Sequence, residues 1–311
     1  MKSKVLNFLV AIFMAAFSLQ ASEFSVEKIG ITYVKSPLNI PSIIDKDKGF
    51  FKKAFDKYSL PVEYFELTAG PKQTQALAAG SLQFLNCVGG TSVILAASNG
   101  ADIKIINAYS RAPKAFMIFS KDKKAKLAKD LKGKKIIGPK GTILHELLVR
   151  YLQKAGLSLK DVEFISAGIP QSLAALNNGS ADFALLAGPA AYNAQKDGFS
   201  VLTTGEGYIN PVIVVATSGK FYEKNKKLVE VFKNTQKQIL NFLSKNEEES
   251  LKLTAKETGL SLEAVKQMYP MYNFDNTLTK QDIKSLEQTQ DFMFENKMLQ
   301  KKIDIKKLVL P

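Results

Sequence analysis

The chain has 311 residues, with 43 Lys plus Arg against 29 Asp plus Glu, a formal charge of +14, one Cys, one His and no Trp. A single Cys excludes an internal disulfide framework and an all-cysteine metal site, and one His leaves any zinc site to carboxylates. The lysines gather locally at 121–135 and 220–237 but are not interleaved with aromatics in a nucleic-acid motif, so the charge reads as a solvated basic surface, and no nucleic-acid partner is expected.

The first residues have the form of an export signal. Lys2 and Lys4 precede an apolar run over 5–17. At roughly 13 residues that run is short against the ~20 of a membrane-spanning helix. Ser18 to Ala21 read as the cleavage region, with the cut after Ala21 and no Cys there to carry a lipid. Removing residues 1–21 takes away Lys2 and Lys4 and leaves a charge of +12 on about 290 residues, a length that suits two lobes. No later apolar run is long enough to span a bilayer, so a soluble, exported, non-lipidated protein is expected.

The mature part alternates short strands with helices. Strands are predicted at 28–32, 62–67, 82–88 and 102–109, with helices at 40–47, 49–58, 72–79 and 93–98 between them. A second cycle has strands at 115–119, 136–137, 162–166, 181–187 and 201–203. Its helices lie at 127–131, 143–156, 169–178 and 192–196. An apolar, β-rich stretch at 213–216 follows the Asn210-Pro211 break and returns the chain to the first lobe. From Lys220 onward the pattern is helical, with helices predicted at 227–243, 247–258, 262–269 and 280–296. The alternation predicts α/β architecture with mostly parallel sheets flanked by helices. QALAAGSLQFLNCVGG from Gln75 and SLAALNNGSADFALLAGP from Ser172 share one form, a helix with a small-residue stop and then a short strand. That similarity implies two lobes of like topology. The lobes are read as 22–110 plus 213–311 and as 111–212, with a hinge where the chain crosses twice and a ligand cleft between them.

The stretch LKGKKIIGPKGTILHELLVRYLQKAG from Leu131 orders a strand, a Gly-rich turn, a hydroxyl residue and a helix. This order presents free N–H groups and the positive end of a helix dipole to an anion. Gly141 lets backbone approach a ligand, and Thr142 offers an N–H and a hydroxyl, or else serves as an ordinary N-cap. Gly89, Gly90, Thr91 and Ser92 form the matching turn of the first lobe. His145, one turn into its helix, either contacts ligand or packs between helix and sheet. Cys87 is expected to be buried and unreactive. Arg111, flanking the first crossing with Lys114, either grips an anion with two parallel hydrogen bonds or pairs with an acid across the hinge. No nucleophile–base pair and no metal set accompanies these residues, so binding is expected, with no catalytic residue, no metal and no cofactor.

Over nearly all of the mature chain these motifs resemble the periplasmic substrate-binding proteins of the ABC importers for aliphatic sulfonates, taurine and nitrate. The resemblance is carried by AGP-x-x-x-x-ALAAGSLQF, by DLKGKK…KGT…H-x-LL-x-R-x-L-x-KAGL and by ALNNGSADFALLAGPA. It implies a two-lobed type II periplasmic-binding-protein fold. It also implies a monomer that captures a small anionic solute and delivers it to a membrane permease driven by a cytoplasmic ATPase. The first ligand loop of such proteins falls on Ser36 and Pro37 here, and the strand ends of the second lobe place Gly188 and Asn210 at the cleft. Where taurine and alkyl-sulfonate binders often carry a Trp or an acid, this chain reads Leu186-Ala187-Gly188-Pro189. That small apolar wall leaves room for an aromatic carboxylate or a thiamine-pyrimidine precursor as the alternative solute.

Overall fold

The structure is a computed structural model that describes residues 24–36 and 38–311. The proposed signal segment and Pro37 therefore lie outside the described residues. In chain order the first half-lobe holds β1 (Ile29–Tyr33), α1 (Ile40–Lys48), α2 (Phe50–Asp56), β2 (Val62–Glu66), α3 (Gly70–Ala78), β3 (Leu85–Gly89), α4 (Gly90–Ser98) and β4 (Lys104–Ser110). The second lobe holds β5 (Phe116–Ser120), β6 (Lys135–Gly138), α5 (Ile143–Lys154), β7 (Glu163–Ser166), α6 (Ile169–Asn178), β8 (Phe183–Ala187), α7 (Gly188–Lys196) and β9 (Ser200–Thr204). The chain returns through β10 (Ile213–Thr217) and ends in α8 (Gly219–Lys224), α9 (Lys226–Lys245), α10 (Glu247–Thr258), α11 (Leu262–Met268) and α12 (Lys280–Glu295).

Each lobe carries one five-stranded layer. In the second lobe the order is β7-β6-β8-β5-β9. In the first, β2-β1 and β3-β10-β4 are joined where Ile31 bridges Phe84 in parallel, so the order is β2-β1-β3-β10-β4. β6 is parallel to β7 and β8, and β1 is parallel to β2. The sheets are mixed, however. β10 runs antiparallel to β3 and β4, and β5 runs antiparallel to β8 and β9. The antiparallel strand of each lobe is the one the chain enters just after a crossing, so each lobe is closed by the strand that arrives from the other.

Local sequence explains the elements. β5, β8 and β10 are buried along their whole length, as expected of continuous apolar strands covered on both faces. Edge strands β2 and β7 are only partly buried. α3, α6 and α7 begin with Gly-Pro or Ile-Pro, and proline in the first turn loses no intrahelical bond. For that reason α3 and α7 start earlier than apolar periodicity alone predicts. In α9 the buried residues Leu228, Val229, Phe232, Gln236, Ile239 and Leu243 recur at helical spacing. Phe232 stacks on Phe51 at 4.2 Å and on Phe84 at 4.1 Å, which pins α9 and α2 to the first sheet.

A third segment accompanies the two crossings. Arg111 and Asn273 exchange both backbone hydrogen bonds, at 3.0 and 2.9 Å, so the link between α11 and α12 runs beside the first crossing.

Candidate functional site

At the carboxyl ends of β3 and β6 the two Gly/Thr turns meet in direct contact. The Ser92 hydroxyl donates to the Gly141 carbonyl at 3.0 Å, and the Thr91 hydroxyl donates to the Glu146 carboxylate at 3.2 Å. A Cβ at Gly89 would stand 3.3 Å from Ile143, and one at Gly141 would stand 3.3 Å from Leu95. Gly89, Thr91, Ser92, Gly141 and Thr142 are thus brought together as the motifs predict, but face to face and without a gap. Gly141 has φ +72, the left-handed conformation its turn requires. Gly90 opens α4, its N–H donating to Val212 at 2.9 Å, and a Cβ there would meet Leu286 and the Val212 carbonyl.

Several predicted donors are already in use. The Gly141 N–H donates to His145 Nδ1 at 3.3 Å, and the Thr142 hydroxyl donates to the Pro139 carbonyl at 2.8 Å instead of capping its helix. What remains for an anion is the first-turn backbone of α5 with its dipole. His145 is buried and stacks flat on Phe164 at 5.0 Å, which is the packed arrangement between helix and sheet. Since Nδ1 accepts, the neutral ring carries its proton on Nε2, which has no partner among the described residues. Burial, with Lys140 nearby, pushes this imidazole down to about 4.

Arg111 grips an acid, not a solute. Its Nε donates to Asp282 at 2.8 Å and its Nη2 to the same carboxylate, while Nη1 and Nη2 donate to the carbonyls of Asp275 and Thr277 at 2.8 and 2.7 Å. Four of its five donors therefore hold the crossing to α12. Asn210 is exposed and lines a separate groove of about 380 Å³ with Arg150, Tyr208 and Thr289. Ser36 is half-buried in a turn, where its carbonyl accepts from the Asn39 side chain at 2.9 Å. Gly188, at φ +62, lines an inter-lobe cavity of about 10 Å³ walled by Met117, Tyr192, Met268, Met271 and Tyr272.

Sequence reasoning missed Glu146. It is 3% exposed, and its Oε1 accepts from Arg150 at 2.9 Å and from Thr289 at 3.2 Å, while Oε2 takes the Thr91 hydroxyl. Burial holds this carboxyl above the ordinary range, against the pull of Arg150 and the two hydroxyls. Its signal was present: a carboxylate among Leu144, Leu147 and Leu148, with an arginine four residues on. Gln73, Ser110 and Tyr272 were missed as well. Each is buried with a side-chain oxygen lacking a partner among the described residues, and the Gln73 amide reaches the Cys87 carbonyl at 3.5 Å. Cys87 sits at φ +89 where the β3–β10 register shifts, and burial pushes its thiol up.

The sequence profile described as NMT1/THI5 like matches residues 36–250, more than half of the chain. The chain belongs to the NMT1/THI5-like family. A Bacillus subtilis (strain 168) relative named "Putative aliphatic sulfonates-binding protein" is 31% identical over 288 residues, 91% of this chain and 85% of the relative. Among solved structures, the alkanesulfonate-binding protein SsuA from Xanthomonas axonopodis pv. citri, bound to MOPS, superposes with a TM-score of 0.84 at 24% identity, over 92% of this chain and 98% of that one. The periplasmic aliphatic sulphonate binding protein SsuA from Escherichia coli has a TM-score of 0.77 at 25% identity, over 92% and 93%. The fold of this NMT1/THI5-like chain is therefore the two-lobed periplasmic-binding-protein fold. Relatives that match more than nine tenths of this chain are named as aliphatic sulfonates-binding proteins.

Proposed function

We propose that the chain captures a small organic sulfonate between its lobes and delivers it to the permease of an ABC importer. The observation that carries this reading is the likeness to aliphatic sulfonate-binding relatives along 91% of the chain. The meeting of two helix N-termini, α4 and α5, at the lobe boundary supports it. An anionic head group is held by the first-turn backbone of α4 and α5 from Thr91, Ser92 and Thr142 onward, since the Gly90 and Gly141 N–H groups are already in use, with no charged side chain required. The lobes are 22–110 plus 213–311 and 111–212, in keeping with which strands share a sheet. The mature protein begins after Ala21, is periplasmic and acts as a monomer.

One observation favours a second reading. The walls around Gly188 are mostly methionine, tyrosine and alanine, with Gln195 and the tyrosine hydroxyls as polar groups, and thioethers adapt to bulky apolar shapes. A solute with an aromatic body, such as an aromatic carboxylate or a thiamine-pyrimidine precursor, suits that surface. Thermal unfolding of residues 22–311 against taurine, alkyl sulfonates, nitrate, aromatic carboxylates and aminopyrimidines separates the two. A sulfonate present at a hundred times its Kd is expected to stabilise the fold by about 2.7 kcal/mol. A rise with carboxylates or pyrimidines alone would replace the sulfonate reading by the second one.

A further inference from the structure

The basic stretch 121–135 has no part in the solute site. It carries eight lysines against two aspartates, a net +6 in fifteen residues. β5 ends at Ser120, β6 begins at Lys135 and β8 begins at Phe183, so the stretch covers the amino-terminal ends of β6 and β8. The turns described above lie at the opposite, carboxyl ends of these strands.

The neighbouring aspartates engage backbone N–H groups, not the lysine ammonium groups. Asp122 accepts the Lys124 N–H at 2.8 Å, Asp130 accepts the Lys126 and Leu127 N–H groups at 2.7 and 2.9 Å, and Asp182 accepts the Lys135 N–H at 3.0 Å. Among the described residues Lys135 pairs with Glu163 at 3.7 Å, and the other seven lysines form no ion pair. Two of those have a structural use. The Lys121 and Lys123 ammonium groups lie by Gly179 and Gly198, just past the carboxyl ends of α6 and α7, where a cation complements the helix dipole. Lys124, Lys126, Lys129, Lys132 and Lys134 have no such partner and are exposed. Lys124 and Lys134 line a groove of about 570 Å³ together with Lys121, Asp122, Asp130 and Asp182, and Leu127 stands beside the lysines of this stretch 63% exposed.

We propose that this face of the second lobe docks on an anionic phospholipid bilayer, with the lysines at the headgroup phosphates and Leu127 in the interfacial layer. Cationic side chains around an isolated apolar tip are what an anionic lipid surface holds. An acidic protein partner fits less well, because a protein interface needs an apolar centre that becomes fully buried. The other exposed large apolar residues among those described, Val201 and Phe294, lie outside the stretch.

Residues 22–311 hold every described element and omit the apolar leader, so sedimentation with vesicles reads this face without it. Binding to phosphatidylglycerol-containing vesicles is expected at low salt, weakening as ionic strength rises, with none to pure phosphatidylcholine. The triple variant K124E/K126E/K129E is expected to lose roughly tenfold or more in binding. Leu127→Ala is expected to lose roughly threefold. Solute-induced thermal shifts and circular dichroism should be unchanged in both variants. Equal binding to both vesicle types, or undiminished binding of the triple variant, would overturn the proposal. Binding to soluble polyglutamate but not to vesicles would also overturn it, and would put an acidic protein in the place of the bilayer.

Discussion

The His145 imidazole takes the Gly141 N–H on Nδ1 and lies flat on Phe164, so it stays neutral where a free histidine would protonate. Its value is lowered from 6.5 to about 4. The unfolded chain therefore binds a proton between those pH values that the folded chain does not. This contribution is complete above pH 6.5 and is lost as pH falls toward 4, by roughly 3 kcal/mol in all. Asp45 acts in the opposite direction. Burial raises it from 3.8 to about 7, so its contribution is present at low pH and lost as pH rises through that window. The difference between wild type and His145→Gln carries the test, since Asp45 is common to both. Urea unfolding from pH 7 to pH 4 should show a stability gap that narrows as pH falls. A gap that stays constant would show that the ring titrates normally. The packing of this residue was open in the sequence, because a histidine early in an amphipathic helix reads the same whether it faces ligand or sheet.

α5 is the element that joins the lobes. Its apolar face covers the second sheet, while Glu146 and Arg150 reach Thr91, Thr289 and the Gln288 carbonyl of the first lobe, and the Arg150 guanidinium lies 4.1 Å from the Phe292 ring centre. Glu146 is buried and the Arg150 side chain is 26% exposed, so removing the carboxylate leaves a partly buried guanidinium without compensation. Glu146→Ala should therefore destabilise the fold by about 3 kcal/mol. Glu146→Gln, which keeps an acceptor for the threonines, should cost clearly less in the same denaturant titration. Equal losses would mean that the missing charge accounts for the whole effect and that the acceptor oxygen and packing add nothing. The helix itself, its start after Thr142 and its stop near Gly156, could be read from apolar spacing. Its docking across the lobe boundary could not, because spacing assigns a buried face without naming what buries it.

Two equivalent five-stranded sheets are joined by chain crossings near 111–115 and 205–212, and under the proposed function solute sets how far the lobes part there. Arg111, held to Asp282 and to the carbonyls of Asp275 and Thr277, ties the first crossing to α12, so this arginine belongs to the hinge. Solution scattering of residues 22–311 should give a smaller radius of gyration with a saturating sulfonate than without. Superimposable profiles, at a sulfonate concentration that raises the melting temperature, would show that capture proceeds without lobe movement.

The α/β alternation, most element positions, the internal repeat and the family likeness were determined by sequence alone, because apolar period, Gly/Pro stops and motif spacing are local properties of the chain. The repeat at Gln75 and Ser172 lands on β3 and β8, the same position in each sheet. Strand direction was decided by tertiary structure: β5 and β10 are as apolar as the parallel-paired strands of their sheets, and a buried strand has the same composition either way. The partners of buried polar groups were decided there too. Gly141 and Thr142 carry the right donors for an anion, yet these are taken by His145 and Pro139, and Arg111 is held by an aspartate 171 residues away. A hydrogen bond depends on which atoms packing brings within about 3 Å, and that distance is a property of the folded chain.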